Sequence, residues 1–310
     1  MELRELNYIL ALAKHGKVSA AAGELYMAQS SLSQFLKNHE EKLGFSIFIR
    51  TNRGLIPTEE GKLYIETVKQ ILNLQRNFYS QLSDLENLKR GNVNFALSPF
   101  RAPYLLPKVI PAFTRLYPNI KLTIHESGMK EQEELLSQSL IDLGFVTIPM
   151  TNVSLPYRHA IEEEILLAVP KDFPLCKKAH PAGSTGRPWI EIKDISHQKL
   201  LLYSVNHKLR VFVESLFQEY HLEPDIVQTH NSFETLIRLA NVGMGITFLP
   251  ECYLEPLDGL RHFSLGEQGR YRSLALGYPA SGYVSKATNA FSEIVIQELK
   301  KQQETAKGIL

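Results

Sequence analysis

The chain has 310 residues, 44% hydrophobic and 22% charged, enough for about two domains with sizeable cores. Lys+Arg 34 against Asp+Glu 33 leave a formal charge of +1, so bulk charge neither selects nor excludes a polyanionic partner. Two cysteines, Cys176 and Cys252, cannot build a disulfide framework or a four-ligand zinc site and fit a reduced, cytoplasmic compartment. No apolar run reaches the roughly 20 residues of a bilayer crossing. The apolar stretch Tyr8–Ala13 follows Glu2 and Glu5 and precedes Lys14 and Lys17, the reverse of a secretory signal. The expectation is a chain neither exported nor membrane-spanning.

In chain order, Leu3, Leu6, Ile9, Leu10 and Ala13 give one apolar helical face, and Gly16 ends that helix. Ser19–Leu25 is a second, alanine-rich helix, and after a break at 26–28 a third runs from about Gln29 to Leu43, closed by Gly44. Ile47–Ile49 and Leu55–Ile56 around an Asn/Gly loop predict a small hairpin. Thr58 with Glu59 and Glu60 reads as the start of a long helix. Along it Tyr64, Val68, Ile71, Gln75, Phe78, Leu82 and Leu85 hold a heptad spacing, which predicts a coiled-coil seam. The other reading is a long amphipathic helix lying on its own domain.

Beyond Gly91 the pattern alternates strands and helices. Strands are predicted at 93–97, 122–124 and 143–148, with helices at 104–117 and 130–139. A second set places strands at 165–169, 200–203, 226–227 and 246–249, with helices at 208–220 and 232–242. A strand at 274–278 and a helix at 285–300 finish the chain. This order predicts α/β architecture with a parallel sheet.

The sharpest local signal is at the second and third helices. Small residues line their contact, and the third opens with Gln29, Ser30, Ser31, Ser33 and Gln34, hydrogen-bonding groups that do not form cores. A major groove accepts one helix whose amide and hydroxyl side chains read base edges. Lys37, Arg50 and Arg53 could hold phosphates beside it. The same composition also fits a solvated polar face. Residues 1–60 carry seven Lys/Arg and seven Glu, so charge does not decide between the two.

Leu3-Arg4-Glu5-Leu6, Ala21-Ala22, Leu25, Gln29-Ser30-Ser31-Leu32-Ser33, Glu40, Leu43-Gly44, Phe48, Arg50 and Pro57-Thr58-Glu59-Glu60-Gly61 together resemble the winged helix-turn-helix of LysR-type transcriptional regulators. The resemblance continues to about residue 300, more loosely beyond Gly91. It implies an α/β multidomain fold: an N-terminal all-α-rich winged helix-turn-helix, a long linker helix, and two Rossmann-like α/β subdomains of the type 2 periplasmic-binding-protein kind. The implied boundaries are 1–58 for DNA binding, 59–89 for the linker and dimerisation helix, and 91–301 for effector binding. Within the last, the first subdomain takes 91–162 and 267–301 and the second takes 163–266. Three positions depart from the family pattern: Gly23 in a helix, Ala28 where a capping Ser or Thr is usual, and His39 in place of an aliphatic residue.

The resemblance also implies partners: double-stranded operator DNA, a small-molecule effector, and further copies of the chain as homodimer and homotetramer, with RNA polymerase a candidate. The DNA-binding set is Gln29, Ser30, Ser31, Ser33, Gln34, Lys37, Arg50, Arg53 and Thr58. Ser98, Phe100, Arg101, Gly128, Met129 and Thr147 would line the effector cleft from one side, and Ser204, Val205, Asn206 and Ser232 from the other. Arg101 suggests an anionic effector, since its fork matches a carboxylate bidentately. No cofactor or metal is expected. The histidines form no metal-ligand motif, no nucleophile elbow is present and Gly243-Met244-Gly245 is a lone GxG, so an enzyme is not the reading. The alternatives are a redox-responsive regulator acting through Cys176 and Cys252, and a solute-binding module that does not bind DNA.

Overall fold

Three helices and a hairpin come first in the computed structural model, which describes residues 2–52, 54–85, 91–151, 155–205, 207–253, 257–280 and 283–308. Helix α1 (Leu3–His15) buries Leu6, Ile9 and Leu12 and ends at Gly16 in the left-handed region. Helix α2 (Val18–Glu24) buries Ala21 and Ala22, whose small side chains let the neighbouring helices approach. Helix α3 (Gln29–Leu43) buries Leu32, Leu36 and His39 and closes at Gly44. His39 accounts for one departure from the family pattern. It is packed, hydrogen-bonded to the Tyr64 hydroxyl at 2.7 Å, and burial pushes its pKa down.

Strands β1 (Phe48–Thr51) and β2 (Gly54–Pro57) pair antiparallel, with Arg50 opposite Leu55. The Glu40 carboxylate fixes the hairpin to α3 by accepting from the Ile47 and Phe48 amides at 2.6 and 3.0 Å. Thr58 then caps helix α4 (Glu59–Leu85): its hydroxyl accepts from the Gly61 amide at 2.8 Å and donates to the Ser46 carbonyl at 2.7 Å. A side chain at Gly61 would put its Cβ 1.9 Å from the Ile47 carbonyl oxygen. Gly61→Ala should therefore push α4 off the hairpin and cost about 1–3 kcal/mol of stability, measured by denaturant unfolding.

The seam residues of α4 do not all serve one purpose. Tyr64 and Ile65 pack on the helix-turn-helix core, and Val68 is buried one turn further on. Leu63, Leu74, Phe78 and Leu85 are each more than half exposed, so the open apolar row keeps Phe78 and Leu85 of the heptad and adds Leu63 and Leu74 beside it. The first turns follow the amphipathic-helix reading, and the later ones keep an apolar stripe. Residues 86–89 of the expected linker lie outside the described residues.

The chain divides into two units, one of residues 1–87 with 138–140 and 281–283, the other of the remainder. The second unit runs β3 (Gly91–Leu97), α5 (Ala102–Leu116), β4 (Ile120–Glu126), α6 (Met129–Ser137), β5 (Leu143–Ile148) and β6 (Tyr157–Pro170). It continues with β7 (Trp189–Ile190), β8 (Lys199–Tyr203), α7 (Lys208–Glu219), β9 (Asp225–His230), α8 (Phe233–Asn241) and β10 (Thr247–Pro250). Strands β11 (Leu260–Leu265) and β12 (Tyr271–Gly277) and helix α9 (Lys286–Gly308) complete it. The main sheet has the order β4-β3-β5-β12-β6-β11-β7, with β10 also on β6, while β8 and β9 pair separately.

This sheet is mixed, which corrects the parallel sheet expected from the alternation of elements. Strand β3 is parallel to β4 and β5, but β12 is antiparallel to both β5 and β6, and β6 is antiparallel to β10 and β11. The long strand β6 explains the difference. Its first half pairs with β12 and its second with β10 and β11, so one strand serves two α/β halves. Each half keeps its own core, one around Phe95, Phe113 and Phe291, the other around Leu167, Leu201 and Phe248.

Candidate functional site

In the first unit, α3 turns Gln29, Ser30, Ser31, Gln34 and Lys37 to solvent, while Leu32 and Leu36 anchor the opposite face. This division follows from the 3.6-residue period. It leaves a row of amides, hydroxyls and one ammonium along the helix. Ser33 is half-buried, and its hydroxyl accepts from the Arg50 guanidinium at 3.1 Å, which ties the hairpin cation to the helix. Gln34 donates to Asn38 at 2.7 Å, and Lys37 lies 3.8 Å from Glu41 as an exposed pair. A groove between α3 and the hairpin is lined by Ser33, Gln34, Lys37 and Arg50, so four of the sequence-selected residues meet in one place.

Two members of that set behave differently. Thr58 has its hydroxyl committed on both sides to backbone groups, so it is corrected from a DNA contact to the cap of α4. Arg53 lies outside the described residues. Ala28 precedes α3 without a side-chain cap.

In the second unit, the candidate cleft residues gather at the carboxyl ends of β3, β4, β5, β8 and β9, where open α/β sheets place ligands. Gly128 opens onto free space, Met129 begins α6, and Thr147 is half-buried on β5 opposite Leu274. Ser98 accepts from the Arg101 amide at 3.3 Å, and Ser232 caps α8 by accepting from the Thr235 amide at 3.3 Å. Ser204 pairs through its hydroxyl with Asn231, and Val205 is exposed. Asn206 lies outside the described residues.

Arg101 is the clearest correction. It is 2% exposed, and its two terminal nitrogens donate to Glu163 at 2.7 and 2.8 Å. The fork expected to hold an anionic effector is filled by a residue of β6. Arg272 donates to the same carboxylate at 2.9 and 2.7 Å. Burial alone would raise the Glu163 pKa, but the two guanidiniums hold it down at about 2. The next residue, Glu164, faces the other way and accepts from Arg187 at 2.6 Å, with Glu251 3.5 Å from the same nitrogen. One guanidinium shared by two carboxylates leaves the balance reversed, and burial, reinforced by Glu251, raises the Glu164 pKa.

Aromatic contacts between the halves join rings that nothing in the sequence pairs. Phe100 stacks on Tyr253 at 4.5 Å and meets Phe233 edge-on at 4.6 Å, while Tyr104 lies 3.9 Å from Tyr253. On the far side Tyr203 is stacked between His207 at 4.2 Å and Phe233 at 5.6 Å. Burial pushes the His207 pKa down to about 4, so the ring is neutral where it packs. The Lys208 ammonium donates to the Pro149 carbonyl at 2.9 Å, a polar link across the same boundary. The three consecutive acids Glu162, Glu163 and Glu164 beside an apolar strand were the available signal.

Both cysteines are free thiols, and burial raises the pKa of each. Arg101 opposes that rise at Cys252, 3.1 Å from its sulfur, without reversing it. Such thiols hold little thiolate and are weak nucleophiles. Both should label slowly with an alkylating reagent in the folded protein and rapidly after denaturation, followed by intact-mass spectrometry. Fast native labelling of Cys252 would contradict this assignment. Among the described residues no group of three His, Cys, Asp or Glu is placed to hold a metal, and no helix is long and apolar enough to cross a membrane.

Comparison with known proteins agrees with this architecture. Residues 3–62 match the family described as bacterial regulatory helix-turn-helix protein, lysR family, and residues 86–300 match the LysR substrate binding domain. A hydrogen peroxide-inducible genes activator of Dickeya chrysanthemi is 26% identical over 281 residues, covering 90% of this chain and 89% of that protein. The DNA-binding transcriptional dual regulator OxyR of Escherichia coli K12 shows the same identity and coverage. Among solved structures, a full-length OxyR variant from Pseudomonas aeruginosa superposes with a TM-score of 0.71 at 21% identity, covering 96% of this chain and 98% of that one. Full-length BenM gives a TM-score of 0.59 at 23% identity, covering 97% and 98%. With two family descriptions accounting for nearly its whole length, the chain belongs to the LysR family of DNA-binding transcriptional regulators.

Proposed function

We propose that this regulator reads operator DNA with the exposed row of α3 and responds to a small molecule held between its two α/β halves. The exposed Gln29, Ser30, Ser31, Gln34 and Lys37, with Arg50 bound to Ser33, are the observation that carries the reading. Gln29, Ser30, Ser33 and Gln34 would meet base edges, and Lys37, Arg50 and Arg53 would meet phosphates. The apolar stripe of Leu63, Leu74, Phe78 and Leu85 on α4 supports a homodimer, from which a tetramer could assemble. Two DNA-binding domains acting together also fit a near-neutral chain, since linked sites gain affinity without bulk charge. The protein would act in the cytoplasm, alongside RNA polymerase, without a resident cofactor.

For the effector, Ser98, Gly128, Met129, Thr147, Ser204, Val205, Asn206 and Ser232 remain the proposed surroundings, with Phe100 as an apolar wall. Arg101 acts instead as a link from the start of α5 to β6. A ligand favouring one arrangement of the halves would shift the population of that arrangement and so the spacing of the DNA-binding domains. A thermal-shift screen of metabolites on the intact protein tests this, because a ligand of the native state raises its apparent stability. A hit that also changes operator binding supports the reading, whereas hits that never alter binding contradict effector control.

A second reading, response to oxidants through the cysteines, is favoured by the names of the peroxide-inducible relatives. The raised thiol pKa values argue against it for Cys176 and Cys252.

A further inference from the structure

Tyr26 stands in the turn between α2 and α3 with a φ of 52°, the left-handed region that disfavours any residue with a Cβ. The turn closes a helix end of the kind glycine usually fills: the Met27 amide donates to the Ala22 carbonyl at 2.9 Å and the Tyr26 amide to Gly23 at 3.3 Å. Glycine does occur nearby, at Gly23 inside α2, where a Cβ would meet nothing within 4 Å. The two residue types thus occupy the reverse of the positions that backbone preference alone would give them. Tyr26 is also 98% exposed, and among the described residues its side chain makes no hydrogen bond or ring contact. A bulky aromatic residue is held in a strained conformation without helping the fold.

We infer that Tyr26 contacts the sugar–phosphate backbone of bound DNA, beside the groove that α3 enters. It precedes Gln29 by three residues, next to the row of exposed hydrogen-bonding side chains. A phenol suits that position, because its hydroxyl donates to a phosphate oxygen while its ring covers a sugar. The inference rests on the proposed docking of α3.

The test compares wild type with Tyr26→Gly and Tyr26→Phe, using a duplex selected from a random library on the wild-type protein and a scrambled duplex of equal length. Tyr26→Gly should bind both about tenfold more weakly, since a backbone contact carries no sequence information. Tyr26→Phe should lose most of that affinity. The salt slope should stay unchanged, because a neutral hydroxyl releases no counterions. The melting temperature of Tyr26→Gly should hold or rise as backbone strain is relieved. Binding by Tyr26→Gly within about twofold of wild type would overturn the proposal. So would a lower melting temperature, which would make the side chain structural, or a changed oligomeric state in sedimentation, which would make it a contact between copies. If wild type enriches no sequence from the library, the proposed docking of α3 itself fails.

Discussion

Glu163→Ala should destabilise the second unit by about 3–5 kcal/mol, because it strands two buried guanidiniums around an empty carboxylate position. Glu163 is fully buried, and Arg101 and Arg272 are 2% and 8% exposed, so water cannot readily take its place. Converting all three residues together to apolar ones of similar volume should cost less than Glu163→Ala alone, since no charge is then left unpaired. Urea unfolding of the intact regulator measures both, and a triple variant as damaged as the single one would contradict the charge argument. The same cluster sets a pH dependence. The folded-state pKa of Glu163, about 2, lies below its unfolded value. Its contribution is therefore complete above the ordinary carboxylate range and is lost as pH falls toward about 2. Glu164 has the opposite sign. Its raised pKa gives stability that is present at low pH and lost as pH rises through the folded value. Glu163→Gln should remove the acid-side loss while leaving the Glu164 component in place.

Gln29→Ala should weaken binding to the selected duplex by about 1–3 kcal/mol and leave scrambled DNA nearly unaffected. Gln29 begins α3 and is exposed, so its loss disturbs no packing. An equal loss on both duplexes would remove it from base reading. Arg50 provides the contrast. Alanine there removes a cation and should lower the steepness of the salt dependence on both duplexes.

The helix-turn-helix was readable because each signal is local: Gly16 and Gly44 end helices, and Ala21-Ala22 marks a close contact. His39 shows how a polar residue enters that core, by sharing a hydrogen bond with Tyr64 from a helix far along the chain. The second unit was legible as alternating elements but not as a sheet. Strand direction depends on β6 bridging two halves, and the three acids at its centre broke the apolar pattern that marks a buried strand. Glu163 and Glu164 are tolerated because Arg101, Arg187 and Arg272 reach them from distant segments, whereas Glu162 is exposed and pairs with His159. Arg101 stands out in the sequence, but the carboxylate that fills its fork lies 62 positions away on β6. The helix start at Thr58 is marked locally by the acids that follow it, and its hydroxyl proton is committed to the Ser46 carbonyl. Phe100 was placed at the boundary between halves, but the rings it meets, Phe233 and Tyr253, carry no mark in sequence that joins them.

The central claim, that paired copies of this chain read DNA through α3, is tested most directly by selecting duplexes from a random library on the intact protein. The expected result is enrichment of two related half-sites separated by a whole number of helical turns, abolished when Gln29, Ser30 and Gln34 are all replaced by alanine. Unchanged enrichment by that triple variant, or a single unpaired site, would contradict it.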